Sequence, residues 1–356
     1  MTRIKASFWA ISASSLLMLG LTACHSNSSG TQTVQLLGAG STFVNPAMGH
    51  WIQDFRQAKP NVEINYQSIG SGGGIEQVRA GTVDFGASDA PMSDQDLTAM
   101  PPVLQIPESA GPVCVTYNLP GLSKPLHLSA QALSGIFLGK ITSWQDPILA
   151  GDNAGVTLPN EKITVVHRAE SSGTTNAFTE YLASVNPEWA KKVGAGKAVS
   201  WPTGMGGKGN EGVTGQIKQT PGSIGYVELA YAIGNKLPVA AIQNQAGDYV
   251  LPTPASATAA IAAFTSALQK ELRSPIVNPP AGAASAYPIS TLTFLIVPRD
   301  GPNLQKRTAL KQFLQYIVGP GQAAAVSLDY ASLPAAMRQQ DLDIIQQMTT
   351  QGGVMP

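Results

Sequence analysis

Charge is scarce in this chain. Charged residues are 12% of its 356 positions, and 22 basic residues balance 22 acidic ones. A globular chain usually carries about a quarter. A nucleic-acid partner is therefore not expected, because it would call for a concentrated basic face. Cysteine is nearly absent, with Cys24 and Cys114 the two in the chain. The four histidines at 25, 50, 127 and 167 lack the spacing of a metal site, so neither metal nor cofactor is expected. After the first two dozen residues, no apolar run reaches the roughly 20 residues of a membrane span. Glycine and proline are plentiful instead, at 36 and 26 residues. Turns and close backbone approaches should be common.

Residues 1–23 read as a processing segment. Arg3 and Lys5 make the basic start, an apolar run follows, and Leu21-Thr22-Ala23-Cys24 closes it. The tetrad resembles a bacterial lipobox, which implies lipidation at Cys24 and a membrane-anchored lipoprotein in the periplasm or at the cell surface. Residues 24–35 are small and polar, as a tether would be. With Cys24 lipidated, Cys114 has no partner for an intramolecular disulfide. In Val113-Cys114-Val115 it reads as a buried strand residue without chemistry.

The mature chain of about 330 residues exceeds what one core usually supports, so two lobes are expected. The pattern is α/β. Val34 to Leu37 reads as a strand, Asn45 as the cap of a helix starting at Pro46, and Val62 to Gln67 as a half-buried strand. A GSGGG turn should lead into a helix near Ile75 to Ala80, and Thr82 to Ala87 should be another strand. Val113 to Tyr117, Ile163 to Val166, Gly225 to Glu228 and Ile289 to Val297 read as further strands. Ala130 to Leu138, Asn176 to Ala183 and one helix within 251–287 complete the pattern. Strand after strand runs into a glycine or serine turn, which places polar loops at the carboxyl ends of strands, where open α/β sheets bind ligands.

Three of these turns share one chemistry. ITVVHRAESSGTT at 163–175 sets Arg168, hydroxyls and glycine after an apolar strand, and GAGSTF at 38–43 and GSGGG at 70–74 repeat the hydroxyl and glycine theme. An arginine fork with hydroxyls and backbone N–H groups at helix starts suits a small dehydrated oxyanion. GMGGKGN at 204–210 does not make a nucleotide phosphate loop, since Gly209 follows the lysine where a Ser or Thr would hold magnesium. It is expected to shape a loop beside the cleft. Ser41 and Ser71 lack both a GxSxG elbow and a histidine partner, so an enzyme is not expected.

The chain resembles the phosphate-binding proteins of bacterial phosphate-specific ABC importers, the PstS family. The resemblance runs through GAGSTFVNP at 38–46, INYQSIGSGGG at 64–74, VDFGASDAPMSD at 83–94 and FLGKITSWQDP at 137–147. It continues through HRAESSGTT at 167–175, WPTGMGGKGNEGV at 201–213, PGSIGYVE at 221–228, YPISTLTF at 287–294 and LDYASLP at 328–334. It implies a two-lobed periplasmic binding protein of type II, each lobe a mixed sheet flanked by helices and joined by a two-strand hinge. The expected lobes are residues 36–110 with 286–356, and 111–285. The implied phosphate contacts are Thr42, Phe43 through its backbone N–H, Ser71 and Asp89 from one lobe, and Arg168, Ser172, Gly173 and Thr174 from the other. Glu170, where the family usually has Asp, is expected to orient Arg168, and His167 stands where an arginine is common. The implied partners are an inner-membrane ABC permease and its ATPase, with the binding protein a monomer. The same contacts could accommodate arsenate, and a phosphatase is the less favoured enzymatic alternative.

Phosphate near neutral pH keeps a proton that sulfate lacks. A buried carboxylate can accept that proton's hydrogen bond but meets only like charge on sulfate, so Asp89 is expected to set selectivity by rejection as well as attraction.

Overall fold

The computed structural model describes residues 33–122, 124–351 and 353–355. The processing segment, Cys24 and most of the tether lie outside the described residues. The strands are β1 Val34–Gly40, β2 Val62–Ser68, β3 Phe85–Ser88, β4 Val103–Tyr117, β5 His127–Leu128, β6 Thr164–Arg168, β7 Met205–Gly207, β8 Ser223–Glu228, β9 Ala241–Gln243, β10 Tyr249–Val250, β11 Ser290–Pro298, β12 Thr349–Thr350 and β13 Gly353–Val354. The helices are α1 Asn45–Ala58, α2 Ser71–Arg79, α3 Asp94–Thr98, α4 Ala130–Phe137, α5 Pro147–Asp152, α6 Gly173–Val185, α7 Pro187–Lys192, α8 Gly209–Gln219, α9 Leu229–Gly234, α10 Pro254–Ala263, α11 Thr265–Lys270, α12 Leu304–Val318, α13 Gly321–Ser327 and α14 Ala335–Ile345.

Eight strands form one mixed sheet in the order β2-β1-β3-β11-β4-β8-β6-β7. At one end β1 pairs in parallel with both β2 and β3, and at the other β6 pairs in parallel with both β8 and β7. The long strand β4 joins the ends. Val103 to Pro112 pairs antiparallel with β11, and Val113 to Tyr117 pairs antiparallel with β8. Cys114 lies in that second stretch and is wholly buried. Helices cover the sheet, and each βα connection of the parallel ends delivers a loop to the same region.

Several local expectations shift by a turn. Asn45 is the first residue of α1 rather than its cap, and the cap position is Val44, which makes no side-chain cap bond. The hydroxyl of Ser41 accepts from the N–H groups of Phe43 and Val44 instead, at 3.0 and 3.3 Å. Helix α2 begins at Ser71, so the glycine run is its first turn and not a preceding loop. Glycine is a poor helix former, but space decides here. A Cβ on Gly74 would lie 2.6 Å from Gly40 Cα, and one on Gly72 would lie 2.4 Å from the Ser171 side chain. The single helix expected within 251–287 is two, α10 and α11, because the chain turns at Phe264. Met48, Trp51 and Phe55, spaced three and four apart along α1, are buried on one face.

The β4–β11 ladder carries a bulge. Ser109 faces Thr293 and Pro107 faces Phe294, which leaves Glu108 as the extra residue. Glu108 is fully buried, its Oε1 accepts from Thr293 at 3.1 Å, and its Oε2 has no partner among the described residues. Burial lifts its carboxyl from 4.5 to about 8, and the Asp89 charge adds to the rise. A raised carboxyl contributes stability that is fully present below pH 4.5 and lost as pH climbs through about 8. Glu108→Gln should therefore flatten the decline of unfolding free energy between those limits, by on the order of 3 kcal/mol at pH 7. Urea denaturation across the pH range checks this, and an unchanged slope would contradict it.

Candidate functional site

Strands β1, β3 and β6 all end at one place, and the helices α1, α2, α6 and α8 all begin there. Four helix N-termini therefore surround the site, each presenting the positive end of its dipole. The residues there are deeply buried, with Arg168 3% and Asp89 2% exposed.

Asp89 follows β3 and is the common acceptor. Its Oδ1 accepts from the hydroxyls of Ser41 and, at 3.3 Å, Ser71, and its Oδ2 accepts from Thr174 at 2.9 Å. Burial pushes its carboxyl above the ordinary aspartate value, while the Ser41 hydroxyl, Arg168, Thr174 and Ser71 pull the other way. Ser71 is not a helix cap. Its oxygen accepts the N–H groups of Gly173 at 3.0 Å and Asp89 at 3.3 Å.

Arg168 ends β6, and the Tyr226 hydroxyl accepts its backbone N–H at 3.2 Å. Tyr226 is itself held by the Thr175 hydroxyl at 2.6 Å and by stacking on Phe178 with ring centroids 4.2 Å apart. The guanidinium gives Nε to Glu170 Oε1 at 2.9 Å, a second bond to the same oxygen from Nη2, and Nη1 to Thr174 at 3.1 Å. Glu170 thus grips the fork with one oxygen, which also accepts from Gly209 N–H at 3.1 Å, and its Oε2 has no partner among the described residues. Three of the five guanidinium donors are engaged in these bonds, and the rest are available to an anion. His167 stacks on Trp201 at 4.7 Å, and burial lowers its pKa, so it adds no cation at neutral pH.

The remaining expected contacts fall out unevenly. Thr42 is buried and accepts from Asn210. Phe43 directs its N–H to Ser41, its carbonyl accepts from Tyr330 at 2.6 Å, and its ring is in the core. The Ser172 hydroxyl caps α6 by accepting from Thr175 N–H at 3.1 Å. Gly173 lies so close to the opposite strand end that a Cβ would come within 2.7 Å of Ala90 N and of the Asp89 carbonyl carbon.

Sequence reasoning missed Ser41, Asn210, Glu211 and Tyr231. The Tyr231 hydroxyl donates to the Thr42 carbonyl at 2.6 Å and to Glu211 at 2.9 Å, and Glu211 also accepts from Ser68 at 3.2 Å. Ser41 stood inside GAGSTF, and Asn210 and Glu211 begin a helix after the glycine loop. A hydrogen-bonding side chain at a helix start was the available signal for both.

Two mixed half-sheets with a convergent polar site at their strand ends define a solute-binding protein. The PBP superfamily domain matches residues 26–320. In structure, the chain superposes on the phosphate binding protein of Stenotrophomonas maltophilia with a TM-score of 0.65 at 23% identity, covering 87% of this chain and 94% of the other. An ancestral soluble variant of the human phosphate binding protein gives 0.70 at 21% identity, with 86% and 93% covered. In sequence, the chain is 42% identical over 311 residues to the phosphate-binding protein PstS of Xylella fastidiosa strain Temecula1, covering 87% of this chain and 84% of the relative. It is also 42% identical over 312 residues to PstS of Pasteurella multocida strain Pm70, with 87% and 89% covered. The chain belongs to the PstS family of phosphate-binding proteins within the PBP superfamily.

Proposed function

We propose that this protein captures inorganic phosphate outside the cytoplasm and hands it to an ABC import permease, without catalysis. The carrying observation is that Arg168, Asp89 and the hydroxyls of Thr42, Ser71 and Thr174, distant in sequence, meet in one buried cluster at four helix N-termini. Membership of the PstS family supports the same ligand.

In this reading Thr42, Phe43, Ser71 and Asp89 bind from a lobe made of residues 36–110 and 286–356. Arg168, Ser172, Gly173 and Thr174 bind from a lobe made of 111–285, with Glu170 holding the arginine fork. The two crossings between these lobes, one within β4 near Ala110 and one just ahead of β11 near residue 285, serve as the hinge. The direct bonds Gly173–Ser71 and Thr174–Asp89 stand where the anion would sit, so phosphate exchanges them for bonds to its own oxygens. A ligand that engages both faces stabilises the closed form by its differential affinity for the two states. The chain works as a monomeric lipoprotein anchored through Cys24 in the periplasm or at the cell surface, and the permease with its ATPase recognises the closed form.

Small-angle scattering on anion-stripped protein tests the cycle. Phosphate should shrink the radius of gyration, arsenate should do so because it too is tetrahedral and keeps a proton near neutral pH, and sulfate, tetrahedral but unprotonated, should not. No compaction with phosphate would refute the reading. The Gly173→Ala variant tests the close approach. Its methyl must displace backbone across the cleft, so phosphate affinity should fall by about tenfold or more with circular dichroism unchanged. Unaltered affinity would show that the faces need not come this near.

A further inference from the structure

Asn210 is wholly buried and uses both ends of its side chain. Its Oδ1 accepts the backbone N–H of Glu228 at 2.9 Å, which fixes the orientation of the amide and turns the NH2 group toward the site. That NH2 donates to the Thr42 hydroxyl at 2.8 Å and reaches the Thr174 hydroxyl at 3.4 Å, while the Asn210 backbone N–H donates to Thr42 at 3.1 Å. A hydroxyl has two lone pairs and one hydrogen. Both lone pairs of Thr42 are thereby filled, and its hydrogen is left to donate. Thr174 is loaded in the same way by Arg168 Nη1 at 3.1 Å and Asn210, and it donates to Asp89 at 2.9 Å.

We infer that Asn210 is a positioning residue that commits Thr42 and Thr174 to act as hydrogen-bond donors. It thereby makes the site specific for an anion's acceptor oxygens and joins the start of α8 to the β1–α1 loop. The inference rests on the phosphate reading above. A ligand group that can only donate, such as an ammonium, finds no lone pair at Thr42, so the device disfavours such groups as well as holding phosphate.

The test is a double-mutant cycle between Asn210→Ala and Thr42→Val, read by phosphate calorimetry and by thermal melting. Asn210→Ala should weaken phosphate binding by about tenfold when Thr42 is present and by about threefold or less in the Thr42→Val background, where only the longer 3.4 Å link to Thr174 is left to lose. Asn210→Asp keeps the shape and the bond from Glu228 while removing the donors, so it guards against a folding defect and should lose at least as much affinity. Equal losses in both backgrounds, or a lower melting temperature with unchanged affinity, would mean that Asn210 only supports the fold and would overturn the inference alone. A wild-type protein that binds no phosphate would remove the functional reading and this inference together.

Discussion

Arg168→Lys is expected to weaken phosphate binding by on the order of 100-fold. The lysine keeps the charge but loses the planar fork, so it cannot hold Glu170 on one edge, Thr174 on another and two anion oxygens on the rest. A hydrogen bond to a charged group is worth about 1.5–3 kcal/mol, and losing the second anion contact together with the support of Glu170 accounts for roughly that upper value. The surroundings sharpen the effect, because the side chain is nearly inaccessible and water cannot replace the missing donors. Calorimetry on the purified variant measures it. Affinity within about threefold of the wild type would mean that the fork contributes charge and no geometry, contrary to the argument.

The second large effect concerns selectivity. Asp89→Asn should cut the ratio of phosphate to sulfate affinity by on the order of 100-fold, chiefly by letting sulfate in. In the wild type, sulfate would place its oxygens against a buried carboxylate with no proton between them. The amide of the variant offers N–H donors that satisfy sulfate. Three hydroxyls already donate to Asp89, from Ser41, Ser71 and Thr174. The carboxylate still has acceptor capacity for a phosphate proton, since its two oxygens offer about four lone-pair sites. Parallel titrations with the two anions give the ratio, and a ratio equal to the wild-type value would remove Asp89 as the discriminating group.

Much of this site was legible because its polar residues interrupt apolar strands. Arg168 and the hydroxyls after it follow Val165 and Val166, so side-chain chemistry and strand position pointed to the same place, whereas Asp89, which follows the buried strand β3, was named through the family resemblance. The α/β character was legible from the repeated passage of strand into glycine turn, and the mixed sheets were implied by the family resemblance. Asn210 was overlooked although it stands at a helix start. It ends a run of four glycines and a lysine whose composition suggested only backbone, and its partner Thr42 lies 168 residues away. The start of α2 was misjudged for a related reason. Propensity argues against glycine in a helix, but contact with Gly40 and Ser171 leaves room for nothing larger. Glu170 was expected as the partner of Arg168 through the family resemblance. That a single oxygen would accept both arginine bonds depends on the path of the turn and on Gly209, which approaches from a distant loop.

The most direct test of the account is isothermal calorimetry on wild-type protein stripped of carried-over anion by unfolding and refolding, titrated separately with phosphate and with sulfate at neutral pH. The account predicts one tightly bound phosphate per chain and negligible heat with sulfate. A refolded protein that binds neither anion, or that binds both alike, would contradict it.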